Sequence, residues 1–275
     1  MVRLYGNAPY SIVLVHGGPG AIGSLKGFAK ELSEASGRGV VEAIQSKYSV
    51  WELIKELRCQ IAQHCDGKAV LIGHSFGAWL AALFAADFQA YAKSLILIGC
   101  PPLEEKYVSQ INQRRLQNMS GEDAAAFQRL LDDRADDGDM EKISLALEKS
   151  DHYCLENWNQ HLPDKTDSQM YQKVWKEAAA LRADGSLLKA FCKISCKISL
   201  IQGAYDPHPV KGVTEPLEKN GFLNGGSFEA FILEKCGHCP FMEKEAKGEF
   251  YRILLEKLLP ASFDAPLMCH FVKQL

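Results

Sequence analysis

Four short stretches hold groups suited to acyl transfer at a carbonyl: Gly73-His74-Ser75-Phe76-Gly77, His16-Gly17-Gly18-Pro19-Gly20, Gly203-Ala204-Tyr205-Asp206-Pro207 and Cys236-Gly237-His238-Cys239. A serine hydroxyl is a weak nucleophile at neutral pH. It needs an imidazole to take its proton and a carboxylate to fix that imidazole's tautomer. Ser75, His238 and Asp206 supply these groups in the chain order serine, aspartate, histidine. In a Gly-x-Ser-x-Gly corner the serine sits on a tight strand-to-helix turn, where a Cβ two residues to either side would strike neighbouring backbone. A chance turn can carry the same five letters, but the apolar run 69–72 before it and the Ala/Leu-rich stretch 78–88 after it favour a nucleophile elbow. The expected intermediate is an acyl-enzyme made from an ester, amide or thioester, and this chemistry requires neither a metal nor an organic cofactor.

Eight histidines compete for the role of base. His74 lies inside the elbow, His16 in the glycine-rich loop and His208 just after Asp206, and each reads as structural. His152, His161 and His270 have no strand-end setting, and His64 ends a helix. His238 follows the apolar segment Phe228-Glu229-Ala230-Phe231-Ile232-Leu233, which reads as a strand. Asp206 likewise follows the strand-like Lys197-Ile198-Ser199-Leu200-Ile201-Gln202, and the 32 residues from 206 to 238 leave room for one helix. The same loop offers a different chemistry, because Cys236-Gly237-His238-Cys239 has the C-x-x-C spacing of a disulfide oxidoreductase. Topology argues against it, since only 36 residues follow Cys239. Cys59 with Cys65, or Cys192 with Cys196, lacks the paired knuckles of a structural zinc site. Oxidation of Cys236 and Cys239 would nonetheless strain the loop that carries His238.

The elements that must position these groups alternate along the first hundred residues: strand 11–15, helix 24–35, strand 39–42, helix 50–64, strand 69–72, helix 76–88, strand 94–99. Alternation of this kind predicts a parallel sheet. Within 50–64, Val50, Leu53, Ile54, Leu57 and Ile61 fall on one helical stripe that must face the core. Between 100 and 193 the alternation gives way to polar helical segments at 104–119, 121–134, 140–149 and 167–181. The acidic run Asp132-Asp133-Arg134-Ala135-Asp136-Asp137-Gly138-Asp139 reads as a solvated surface ahead of a metal or amine site. Tyr153, Trp158, Tyr171 and Trp175 are candidates for either a pocket wall or the core of this segment. The tail 260–275 has no clear periodicity and is expected to pack on the body or on a partner.

Composition fits one globular enzyme: 275 residues, 47% hydrophobic, 24% charged and a formal net charge of −3. With 31 basic against 34 acidic residues and no basic block, a nucleic-acid partner is not expected. Nine scattered cysteines point to reduced thiols and a cytoplasmic location. No stretch is apolar and long enough to span a bilayer, and no signal peptide is expected, because residues 1–7 lead straight into the first strand.

The elbow, the His-Gly-Gly-Pro-Gly loop and the strand-end Asp206 and His238 together resemble the α/β-hydrolases across residues 10–259. The resemblance implies that the backbone N–H groups of Gly18 and Phe76 form the oxyanion hole, with Pro19 stiffening the loop that aims the first. It favours Asp206 as the acid, with Glu104 or Glu105, one strand earlier, as the alternative. The implied fold is α/β: a mostly parallel sheet of about six strands with flanking helices, its leading strands trimmed because ten residues cannot supply two of them. Residues 1–100 and 194–259 would form the core and 101–193 a helical cap, with 260–275 as a tail. The loop His16-Gly17-Gly18-Pro19-Gly20 is also similar to that of proline iminopeptidases, but their Asp-x-Arg-Gly-x-Gly-x-Ser loop is replaced here by Ser36-Gly37-Arg38-Gly39-Val40-Val41-Glu42. The expected activity is cleavage of a small ester or amide. The alternatives are a prolyl aminopeptidase, and a receptor that uses the capped pocket without catalysis.

Overall fold

The computed structural model describes residues 1–132, 146–156, 158–221 and 228–258. The acidic positions 133–139, the tail 260–275 and the side chain of Trp158 lie outside the described residues. Seven strands form the main sheet: β1 (Val2–Tyr5), β2 (Tyr10–Val15), β4 (Gly39–Ala43), β5 (Ala69–His74), β6 (Ala92–Ile98), β8 (Lys197–Gly203) and β9 (Phe228–Leu233), in the order β1-β4-β2-β5-β6-β8-β9. All neighbouring pairs are parallel except β1 with β4. The sheet therefore has one strand more than the sequence predicts. Residues 2–5 make an antiparallel edge strand in place of a lead-in to β2, with Val2 opposite Ala43 and Tyr5 opposite Val40.

Strand side chains alternate between two cores, as a period of two requires when helices cover both faces. Ile12, Leu14, Val70, Ile72, Ile96 and Ile98 pack with α1 (Lys26–Ser36) and α8 (Lys247–Leu258), where Phe28, Phe241, Phe250 and Tyr251 cluster. Val13, Val15, Leu71, Leu95 and Leu97 turn the other way, against α2 (Val50–His64) and α3 (Phe76–Asp87). The stripe predicted on α2 is buried at all five positions. In α3 Trp79, Leu80, Ala81, Ala82, Phe84 and Ala85 are all buried, because the helix lies on the sheet with α2 and α7 (Ser186–Phe191) against it. Each large apolar side chain so enclosed contributes about 1.5–3 kcal/mol.

The inserted segment between β6 and β8 is mostly helical where described: α4 (Val108–Asn118) after a tighter turn at Glu105–Tyr107, α5 (Gly121–Leu131), a helical run at 146–150 and α6 (Ser168–Ala183). It is tied back to the core by a two-stranded sheet in which β3 (Ala21–Ile22) pairs with β7 (Lys165–Thr166). Of the candidate pocket aromatics, Trp175 stacks on buried Trp79 at 5.9 Å and Tyr171 stacks on Trp175 at 6.2 Å. Tyr153 is exposed and meets Tyr205 edge-on.

Candidate active site

Ser75 follows β5 immediately and adopts φ 55° and ψ −126°, a conformation that L-residues avoid and that strained corners at reactive sites hold. The turn is held from below, where Ser75 N donates to Ile98 O at 2.9 Å and Ala78 N to Ser75 O at 2.9 Å. Its flanking glycines are obligatory: a Cβ at Gly73 would sit 2.3 Å from Gly77 O, and one at Gly77 would sit 2.1 Å from Val15 O. The parallel pairing of Val15 with Gly73 carries the loop after β2 to the same corner. That loop presses so closely that a Cβ on Gly17 would come within 2.6 Å of Ser75 Cβ. Gly18 has φ 51° and faces the cavity described below, and the Phe76 amide opens the first turn of α3, where no intrahelical acceptor exists for it.

Two strands away, β8 and β9 end side by side, Gly203 opposite Leu233, and deliver Asp206 and His238 to the same rim of the sheet. His238 Nδ1 donates to Asp206 Oδ2 at 3.0 Å. The imidazole is held at its backbone too: His238 N donates to Asp151 O at 2.7 Å, and His74 Nε2 donates to His238 O at 3.0 Å. Burial disfavours the charged ring, but the charge and hydrogen bond of Asp206 outweigh it and hold His238 above the ordinary histidine range. Asp206 is fully buried, which by itself would raise its titration; the opposing pull of His238 and His208 keeps it well below the carboxylate range. Glu104 and Glu105 do not reach this group, since Glu104 pairs with Lys106 and Glu105 with Arg182.

The remaining candidates fall into place around this core. His16 and His74 are buried, and burial lowers them to about 4 and about 3, so both are neutral at working pH. Cys236 is buried, Cys239 lies 3.5 Å from His74 Nε2, and burial pushes both thiols up, opposite to the lowered thiolates of redox motifs. All eight described cysteines are free thiols. Among the described residues, the group whose ligand atoms lie within 4.8 Å of one another is Asp206, His208 and His238, and none of the cysteine pairs belongs to it.

Ser75 and His238 both line a cavity of about 570 Å³ between the sheet rim and the inserted segment, and among the described residues no hydrogen bond joins their side chains. Sequence reasoning missed several polar groups in and around it. Arg115, from α4, makes a two-pronged ion pair with Asp151, Nε to Oδ1 at 2.8 Å and Nη2 to Oδ2 at 2.6 Å. Glu243, fully buried, accepts from the amides of Tyr153 at 2.9 Å, Cys154 at 2.7 Å and Gly237 at 2.9 Å, and so pins the inserted segment to the histidine loop. His208 turned out to touch Asp206, and its Asp-x-His spacing was the one usable signal. Nothing in a polar helix marked Arg115 apart from Arg114, which instead donates to Asp206 O at 2.7 Å.

No curated protein matches this sequence. Similarity to solved structures is extensive in shape and low in identity. VinJ superposes with a TM-score of 0.69 at 18% identity, covering 94% of this chain and 95% of that one. A structure from work on carboxylesterases of the thaumarchaeon Nitrososphaera gargenis gives 0.60 at 20% identity, covering 100% and 96%. Proline iminopeptidase from Mycobacterium smegmatis gives 0.63 at 14%, covering 100% and 96%. These likenesses are of fold alone. Among the described residues, no helix is long and apolar enough to cross a membrane. The sequence also fits the family model described as alpha/beta hydrolase fold over residues 10–245, so the chain belongs to the α/β-hydrolase fold family.

Proposed function

We propose that the protein is a serine hydrolase that cleaves an ester or amide bond of a small substrate through an acyl-enzyme. The observation that carries this reading is the buried Asp206–His238 pair opening on the same cavity as a strained, glycine-flanked Ser75. His238 Nε2 takes the Ser75 proton as Oγ attacks the carbonyl carbon. Asp206 keeps the proton on Nδ1 and stabilises the imidazolium. The amides of Gly18 and Phe76 bind the oxyanion, each contributing about 10²–10³ in turnover. The imidazolium then protonates the leaving group, and the neutral ring draws a proton from the water that hydrolyses the acyl-enzyme. Residues 101–193 act as a cap that shields this sequence from bulk water, over a core of 1–100 and 194–259. The free thiols fit a reducing, cytoplasmic setting.

A fluorophosphonate probe tests the reading. Prompt labelling of the wild type, lost in Ser75→Ala and in His238→Ala, is expected; labelling that survives Ser75→Ala would overturn it. A receptor without catalysis would not label. A second reading, a prolyl aminopeptidase, draws on Glu148, a carboxylate from the inserted segment that lines the cavity and has no partner among the described residues. It could hold a substrate's terminal ammonium. Release of arylamine from prolyl arylamide, with acyl esters left intact, would favour this second reading.

A further inference from the structure

The carboxylate of Asp206 serves two imidazoles. His208 donates to Oδ1 twice, through its backbone N at 2.9 Å and its Nδ1 at 2.8 Å, while Oδ2 takes His238 Nδ1 and Gln202 Nε2 at 2.8 Å. Gln202 Nε2 also donates to His208 O at 3.0 Å, which fixes the second ring from behind. The rings of His208 and His238 lie 4.6 Å apart, tilted by 35°, and both line the cavity that holds Ser75.

A neutral imidazole that donates through Nδ1 must accept through Nε2. Burial holds His208 neutral against the pull of Asp206, with the charges of His238 and Arg115 acting in the same sense as burial. Among the other groups that line the cavity, Asp151 is engaged by Arg115 and His74 by the His238 carbonyl. His208 Nε2 has no partner among the described residues. An acceptor on a buried ring beside the reacting groups costs binding energy unless the substrate supplies a donor.

We propose that His208 Nε2 is a substrate-binding acceptor, selecting esters or amides that carry a hydroxyl or N–H donor within reach of the base over donor-free alkyl analogues. The proposal rests on the serine-hydrolase reading. Because His238 passes its proton to the leaving group, a ring packed on His238 borders the leaving group's path, and the donor sits on that part of the substrate.

The test uses two esters of one acid, one with a simple alkyl alcohol and one with the same alcohol bearing a neighbouring hydroxyl. The wild type should favour the hydroxylated ester in kcat/KM by about 10-fold, mostly through KM. His208→Phe should bring the ratio near one while costing the alkyl ester much less. His208→Asn, which keeps a donor for Asp206 but removes the distant acceptor, should do the same and covers the case in which the first variant fails to fold. If His208 only braced Asp206, both esters would slow together and the ratio would persist, overturning the proposal. A wild-type ratio of one overturns it alone, whereas absence of Ser75-dependent turnover of either ester removes the hydrolase reading with it.

Discussion

Asp206 accepts four hydrogen bonds, more than orienting one imidazole requires, and two of the clustered histidines donate to it. Of the rings around Ser75, His74 is lowered to about 3 and His208 is also lowered, both chiefly by burial, while His238 alone is raised. On the proposed mechanism His238 must be unprotonated to act as base, so kcat/KM should rise with pH along a single limb whose midpoint lies above the free-histidine value of about 6.5. A midpoint at or below about 6 would mean that Asp206 does not hold the ring. At this scale the gathering of Ser75, Asp206 and His238 was legible because Ser75 directly follows an apolar strand and Asp206 and His238 lie in the short loops after two others, and a parallel sheet gathers strand ends on one rim. Arg115, Asp151 and Glu243 were not, because their work is done across contacts between segments distant in sequence.

The inserted helical segment and the histidine loop meet through Glu243, a buried carboxylate that gathers three backbone amides from both sides. Replacing it with Gln leaves one acceptor oxygen where two are used. At least one buried N–H then faces an amide nitrogen, at a cost of about 1–3 kcal/mol. Glu243→Gln should lower the thermal midpoint and slow ester turnover, since Gly237 adjoins His238. An unchanged midpoint, read by circular dichroism, would show that the three amides find water instead. Long elements were readable in advance: α2 matched its predicted bounds, and its Val50, Leu53, Ile54, Leu57 and Ile61 stripe is buried. The short ones were not. In β1 Arg3 interrupts a four-residue strand that only its pairing with β4 defines, and β3 and β7 are two residues each, too short for any period to show.

Across the whole molecule, most of the buried histidines are held below their ordinary range, which links folding to pH. His16 and His74 are lowered to about 4 and about 3, so between those values and about 6.5 the unfolded chain binds protons that the folded one refuses. Their stabilisation is complete above about 6.5 and erodes as pH falls. Asp206 and Glu243 are lowered despite burial, by their imidazole and hydrogen-bond partners, so their contribution is present above about 4 and is lost on further acidification. His238 runs the other way: raised in the fold, it adds stability below about 6.5 that disappears as pH climbs through its folded value. The lowered histidines, with His161 and His208 acting in the same sense as His16 and His74, outnumber the raised His238, which predicts a stability maximum near neutrality and an acid limb that begins with the histidines. Urea unfolding should show a loss of about 2 kcal/mol or more between pH 7 and pH 5, before the carboxylates titrate. A flat response over that interval would show that His16 and His74 take up protons without unfolding, and so that the floor beneath Ser75 is open to water.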